Sequence, residues 1–183
     1  MRRSALARPL AALALLAAPA GAATLTGEEI FGPYSWNEFV SVVSRGPLAV
    51  VSRGAPQGFE EAQFAREVLP AVQAARPHNA ATFALSDATS GYRLVLVFDA
   101  GVNATAENIC ADLGRVARST PSAGAVRVSL VYCRGAQPLT AAVGVASASG
   151  PTDPAVGQLF REALPIMFPP RNRLLEGGAQ PLQ

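Results

Sequence analysis

The chain has 183 residues, 50% of them hydrophobic and 15% charged, which suffices for one ordinary domain with a real core. Its formal charge is +2, every basic side chain is Arg, and Arg2, Arg3 and Arg8 lie at the very start. Without those three, 12 Arg face 13 carboxylates, a near-neutral balance that leaves no electrostatic footprint for nucleic acid.

The opening residues have the three parts of an export signal. Arg2, Arg3 and Arg8 make a positive start, Leu10 to Ala18 is an apolar run, and Ala20-Gly21-Ala22 is a small-residue cleavage signal, with Gly21-Ala22-Ala23 as the other register. Residues 1–23 are therefore expected to be a signal peptide, and the mature protein to be periplasmic or secreted. A buried N-terminal helix is the competing reading. The apolar run is shorter than the roughly 20 residues that span a bilayer. Arg2-Arg3 matches the twin-Arg route only at that dipeptide, so the general secretory route is preferred. No Cys follows the cleavage site, so the leader does not suit a lipoprotein. No later run is long enough for a transmembrane segment: LPIMFPP is short and broken by Pro165, Pro169 and Pro170. The sequon Asn103-Ala104-Thr105 is ascribed to chance.

A single α+β domain is expected over 24–170, with a flexible tail at 171–183. Residues 24–34 look like an ordering tail. SWNEFVSVVSRGP predicts a short helix, with Ser35 and Glu38 at capping-box spacing and Trp36, Phe39, Val40 and Val43 on one face. LAVVSRG is a first strand. EEAQFAREVLPAVQAARP is the main helix, where Pro70 predicts a kink or break. AATFALS and YRLVLVFD are a second and third strand, joined by DATSG as an expected hairpin. Residues 100–124 carry little pattern beyond a short helix around 104–117. AVRVSLVYC and PLTAAVGVAS are a fourth and fifth strand, joined by RGAQ as a second hairpin. DPAVGQLFREALPIMF closes the domain as a helix capped by Asp153, with Pro154 at its first position. This order predicts helices packed on one face of a mixed, mainly antiparallel sheet of about five strands. FAREVLPAV and FREALPIM echo each other, either as a duplicated unit or through shared composition.

The two cysteines are Cys110, in the poorly patterned connector, and Cys133, at the end of the fourth strand. An even number of Cys in an exported chain favours a disulfide. Two buried free thiols, or a catalytic or metal role, are the alternatives; one His and no C-x-x-C make a poor metal set. Period two places Val126, Val128, Leu130 and Tyr132 on one face, and Arg127, Ser129, Val131 and Cys133 on the other. A Cys110 partner would have to approach the latter, more polar face.

No catalytic constellation is found. There is no G-x-S-x-G, H-E-x-x-H or P-loop, and His78 falls in a loop. Asp99, Asn103 and Glu107 have a spacing that would suit a hard cation if they shared a helix side, with capping and solvation as the plainer reading. Arg53 and Arg134 each precede a Gly just past a strand, where they would either share an edge and hold an anion or simply occupy turns. Phe31, Tyr34 and Trp36 form an aromatic group suited to an interface or to core cover. No cofactor, catalytic residue or metal ligand is therefore assigned.

With its Arg/Ala-rich leader, two Cys and Pro-punctuated helices between strands, the chain resembles small exported proteobacterial-type proteins without an assigned activity. Its strand–helix arrangement is similar to that of small periplasmic domains of secretion and envelope accessory proteins. The resemblance is architectural and transfers no functional residues. Together these features lead us to expect a non-enzymatic module that binds a protein or cell-envelope component. A small-molecule or lipid carrier with an apolar cavity is the alternative.

Overall fold

A computed structural model describes residues 23–171. The expected signal peptide and tail therefore lie, but for one boundary residue each, outside the described residues. The elements run β1 (Thr24–Ile30), α1 (Trp36–Val43), β2 (Leu48–Arg53), α2 (Glu61–Ala74), β3 (Phe83–Leu85), β4 (Tyr92–Phe98), α3 (Ala106–Ala111), a 3-10 turn (Leu113–Arg115), β5 (Ala125–Arg134), β6 (Gln137–Ser147) and α4 (Pro154–Met167). The strands form one mixed sheet in the order β1-β6-β5-β4-β2-β3. This is an α+β fold, with antiparallel pairing from β1 to β4 and parallel pairing among β4, β2 and β3.

Local chemistry sets the helix starts. The Ser35 hydroxyl accepts from the Glu38 amide at 3.4 Å, and the Asp153 carboxylate accepts from the Ala155 amide at 3.0 Å, so each satisfies an orphan donor of a first turn. α2 is capped by the Glu60 carboxylate, which accepts from the amides of Ala62 and Gln63. α2 runs on through Pro70 to Ala74 without a break.

Three expectations are revised. Residues 24–30 are a strand, not a tail: β1 pairs with β6 along the sheet edge, with an irregularity between Thr26 and Glu29. An edge strand exposes most of its side chains, so it has no apolar alternation to betray it. The sheet therefore has six strands. The second and third expected strands do not form a hairpin. β3 and β4 flank β2 on opposite sides, and both run parallel to it. Residues 86–91 cross back over β2 instead, which a β3 of only three residues permits. Finally, the helices are not all on one face. α1, α2 and α4 cover the first, while the short α3 packs on the second.

The first face holds the main core, where Leu94, Leu96, Phe98, Leu130 and Tyr132 meet Phe39, Phe64 and Phe160. Gly144 of β6 lets α4 approach closely; a Cβ there would stand 3.0 Å from the Leu159 side chain. The second face is smaller and centres on Val95, Val97, Val131 and Cys133 under Ile109 and Cys110 of α3. β4 is covered on both faces, which is why it is an unbroken apolar run after Arg93. Just past β2, Gly54 has φ +81, and a Cβ there would lie 2.7 Å from the Phe98 carbonyl, so only Gly fits this close approach of two strand ends.

Candidate functional site

Two bonds fix α3 to the second face. Cys110 and Cys133 form a disulfide with their Cα atoms 5.6 Å apart. It reaches the face that the β5 alternation assigned to Cys133. Beside it, Arg93 stands opposite Cys133 in the β4–β5 register, and its guanidinium donates to the Cys110 carbonyl at 2.7 Å. A cation at the last carbonyls of a helix complements their partial negative charge. Held this way, α3 is a ridge with a depression on either side.

On the β1 side is a groove of about 880 Å³, lined by Glu28 and Glu29 of β1, Ile30, Phe31, Glu107 of α3, Ala141 of β6, and Pro165, Ile166 and Pro169 at the end of α4. It continues along α3 towards Ser129 and Val143. Three carboxylates stand over an apolar floor, and no basic side chain lines the groove among the described residues. The α4 wall is anchored from below. The Tyr34 hydroxyl donates to the Pro169 carbonyl at 3.0 Å, and the Phe168 ring lies 4.3 Å from that of Phe39.

On the other side, between α3 and the 86–91 crossover, is a cleft of about 400 Å³. Arg93 lines it and is only 4% exposed. Desolvation pulls its pKa below the usual arginine value, but the group remains a cation at any physiological pH. Asp87, Thr89, Asp112 and Arg53 complete the rim.

No protein-family model and no curated protein matches the chain. Among solved structures it is similar to a dodecamer of a PelC point variant from Paraburkholderia phytofirmans. The match has a TM-score of 0.42 and 11% identity, over 80% of this chain and 98% of that one. A likeness at this level transfers no residue and no activity.

The residues singled out from the sequence are scattered. His78 accepts from the Ala80 amide at 3.1 Å and packs edge-on against Trp36. Arg53 pairs in register with Val97, whereas Arg134 pairs with Tyr92, so the two lie at opposite ends of β4 and share no anion site. Arg134 instead bonds Glu38 at 2.9 Å. The aromatic group divides: Tyr34 is core, Trp36 covers Phe39, and Phe31 lines the groove. Asp99, Asn103 and Glu107 also part company. Glu107 faces the groove, Asn103 is exposed in a turn, and Asp99 is 2% exposed.

Asp99 is the strained member. Its φ is +49, and neither carboxylate oxygen has a hydrogen bond of normal geometry among the described residues. Burial raises its pKa from the ordinary 3.8, against weaker opposing pulls from Ser122, Arg127 and Arg118. The folded protein thus holds this proton more tightly than the unfolded chain does. Stability is lost as pH rises from the unfolded value through the raised folded one. Asp99→Asn removes the charge and tolerates the left-handed backbone. It is expected to stabilise the protein at pH 7, with the gain vanishing below the unfolded pKa. Urea denaturation at a series of pH values checks this, and an unchanged or lower stability at pH 7 refutes it.

Proposed function

We propose that the protein is an exported, non-enzymatic module that binds another protein through the groove between β1, α3 and the end of α4. The ligand segment would carry Arg or Lys beside an apolar side chain. The observation behind this reading is the lining itself: Glu28, Glu29 and Glu107 over Ile30, Phe31, Ala141 and Ile166. Carboxylates around an apolar floor favour a cation attached to an apolar anchor, and they disfavour acidic partners. A lipid or small-molecule carrier would enclose its cargo in an apolar chamber; this groove opens to solvent, which favours the interaction module.

The test places a photo-crosslinking residue at Ile166, and a control at exposed Val102, in the full-length protein expressed in cells. Position 166 is expected to capture one protein that position 102 does not, through a peptide with Arg or Lys next to an apolar residue. Glu28→Arg combined with Glu107→Arg should weaken binding of that peptide roughly tenfold or more, and added salt should weaken it in the wild type. Equal capture from both positions, or indifference to the charge reversal, overturns the proposal.

A further inference from the structure

The cleft on the other side of α3 has a chemistry of its own. Arg93 is a cation buried in the sheet, and no carboxylate lies within ion-pair distance of it among the described residues. Its described acceptors are two carbonyls, Cys110 at 2.7 Å and Gly91 at a long 3.4 Å. A guanidinium has five N–H donors in a planar fork. A buried charge left in this state is costly unless its remaining donors find an anion or water.

The carboxylates around the cleft are not equivalent. Glu61 is drawn to Arg118 at 3.7 Å. Asp112 is engaged by Arg115 at 3.1 Å and by the Gly114 amide at 3.0 Å. Asp87, on the crossover, has no ion-pair partner among the described residues. Among the described residues the cleft thus presents one carboxylate without an ion-pair partner, Asp87, and two such cations, Arg53 at the rim and the buried Arg93. Ser52, which also lines it, has a buried hydroxyl without a partner among the described residues.

We propose that this cleft binds a small zwitterion, an amino acid or a short peptide, whose carboxylate sits on Arg93 and whose ammonium group faces Asp87. A planar guanidinium takes a carboxylate through two parallel hydrogen bonds, which fixes the ligand's orientation as well as its charge. A volume of about 400 Å³ accommodates a ligand of this size. The cleft shares no lining residue with the acidic groove, so the two proposals stand independently.

The probes are L-alanine, L-alanyl-L-alanine, N-acetyl-L-alanine, L-alaninamide and inorganic phosphate. The readout is the Nε–H resonance of Arg93 in the disulfide-bonded protein. Alanine or its dipeptide is expected to shift that resonance saturably at millimolar concentrations, and the stronger of the two identifies the source of the ligand. N-acetylalanine, lacking the ammonium, should bind roughly tenfold more weakly, and alaninamide should not bind. A response to phosphate equal to that of the amino acids reduces the site to a general anion hole and overturns the proposal, as does silence towards all carboxylates. Because Arg93 also holds α3, Arg93→Lys risks the fold. Asp87→Asn avoids that risk. It should cost the alanine or dipeptide ligand about tenfold while leaving N-acetylalanine unchanged; an equal effect on both, or none, also overturns the assignment.

Discussion

Removing the Cys110–Cys133 bond is expected to cost roughly 3 kcal/mol, whether by reduction or as the pair Cys110→Ala and Cys133→Ala. The bond closes a loop of moderate length in the unfolded chain, and opening that loop returns conformational freedom to it. For a domain of this size the loss corresponds to a melting temperature lower by roughly 6–12 °C. The effect should be uneven. β4 and β5 keep their full antiparallel pairing without the bond, whereas α3 is a six-residue helix held by the disulfide, Arg93 and a small apolar contact. A helix that short has almost no stability of its own. Hydrogen exchange should therefore accelerate most across α3 and the 3-10 turn, and both depressions beside α3 should lose a wall together. Calorimetry with and without reductant, paired with hydrogen exchange, checks this. Equal melting temperatures, or faster exchange spread evenly over the sheet, would contradict it.

Phe39→Ala is expected to cost about 3–5 kcal/mol, the range for a large aromatic lost from a filled core. Phe39 is fully buried, with ring centroids 4.3 Å from Phe168, 5.4 Å from Trp36 and 6.0 Å from Tyr132. These partners come from the end of α4, the start of α1 and β5, so the void would open where three elements meet. Phe168 directly precedes Pro169, a wall of the acidic groove. The variant should therefore weaken the groove as well as the fold. Phe39→Leu fills most of the volume and should lose roughly 1–1.5 kcal/mol. Urea denaturation gives both values. A Phe39→Ala loss below about 1 kcal/mol would mean that this corner is not packed as described.

The sequence was most informative where burial imposes a period. α1, α2, α4, β4, β5 and β6 all bury one face or both, and their apolar spacing marks them. It was least informative where pairing relies on the backbone alone. β1 exposes nearly every side chain, so nothing in TLTGEEI distinguishes an edge strand from a tail. The placement of β3 is hidden for a related reason: a turn-rich DATSG between two apolar segments signals a reversal, but the pairing partner of β3 is decided by α2 crossing over the sheet. The disulfide was legible because the expected export and the even number of Cys point the same way. The clefts beside it were not, because Glu28, Glu29, Glu107 and Ile166 come from distant parts of the chain. Arg93 did leave a trace, as the lone charge within a strand whose following positions are all apolar.

The pairing of β1 with β6 joins Thr24 to Val145. The first strand of the sheet to be made thus waits for the last. Loop closure over so long a separation is a late and slow kind of contact, unlike the β5–β6 hairpin, whose partners are neighbours in sequence. A nascent chain can complete β4, α3, β5 and the disulfide that joins α3 to β5 while β1 still has no strand to lie against. Only with β6 present does Leu25 gain its place against the core and the groove its Glu28–Glu29 rim. The edge that carries the groove is thus completed last, since a chain cut short of β6 has nothing to hold the Glu28–Glu29 rim in place.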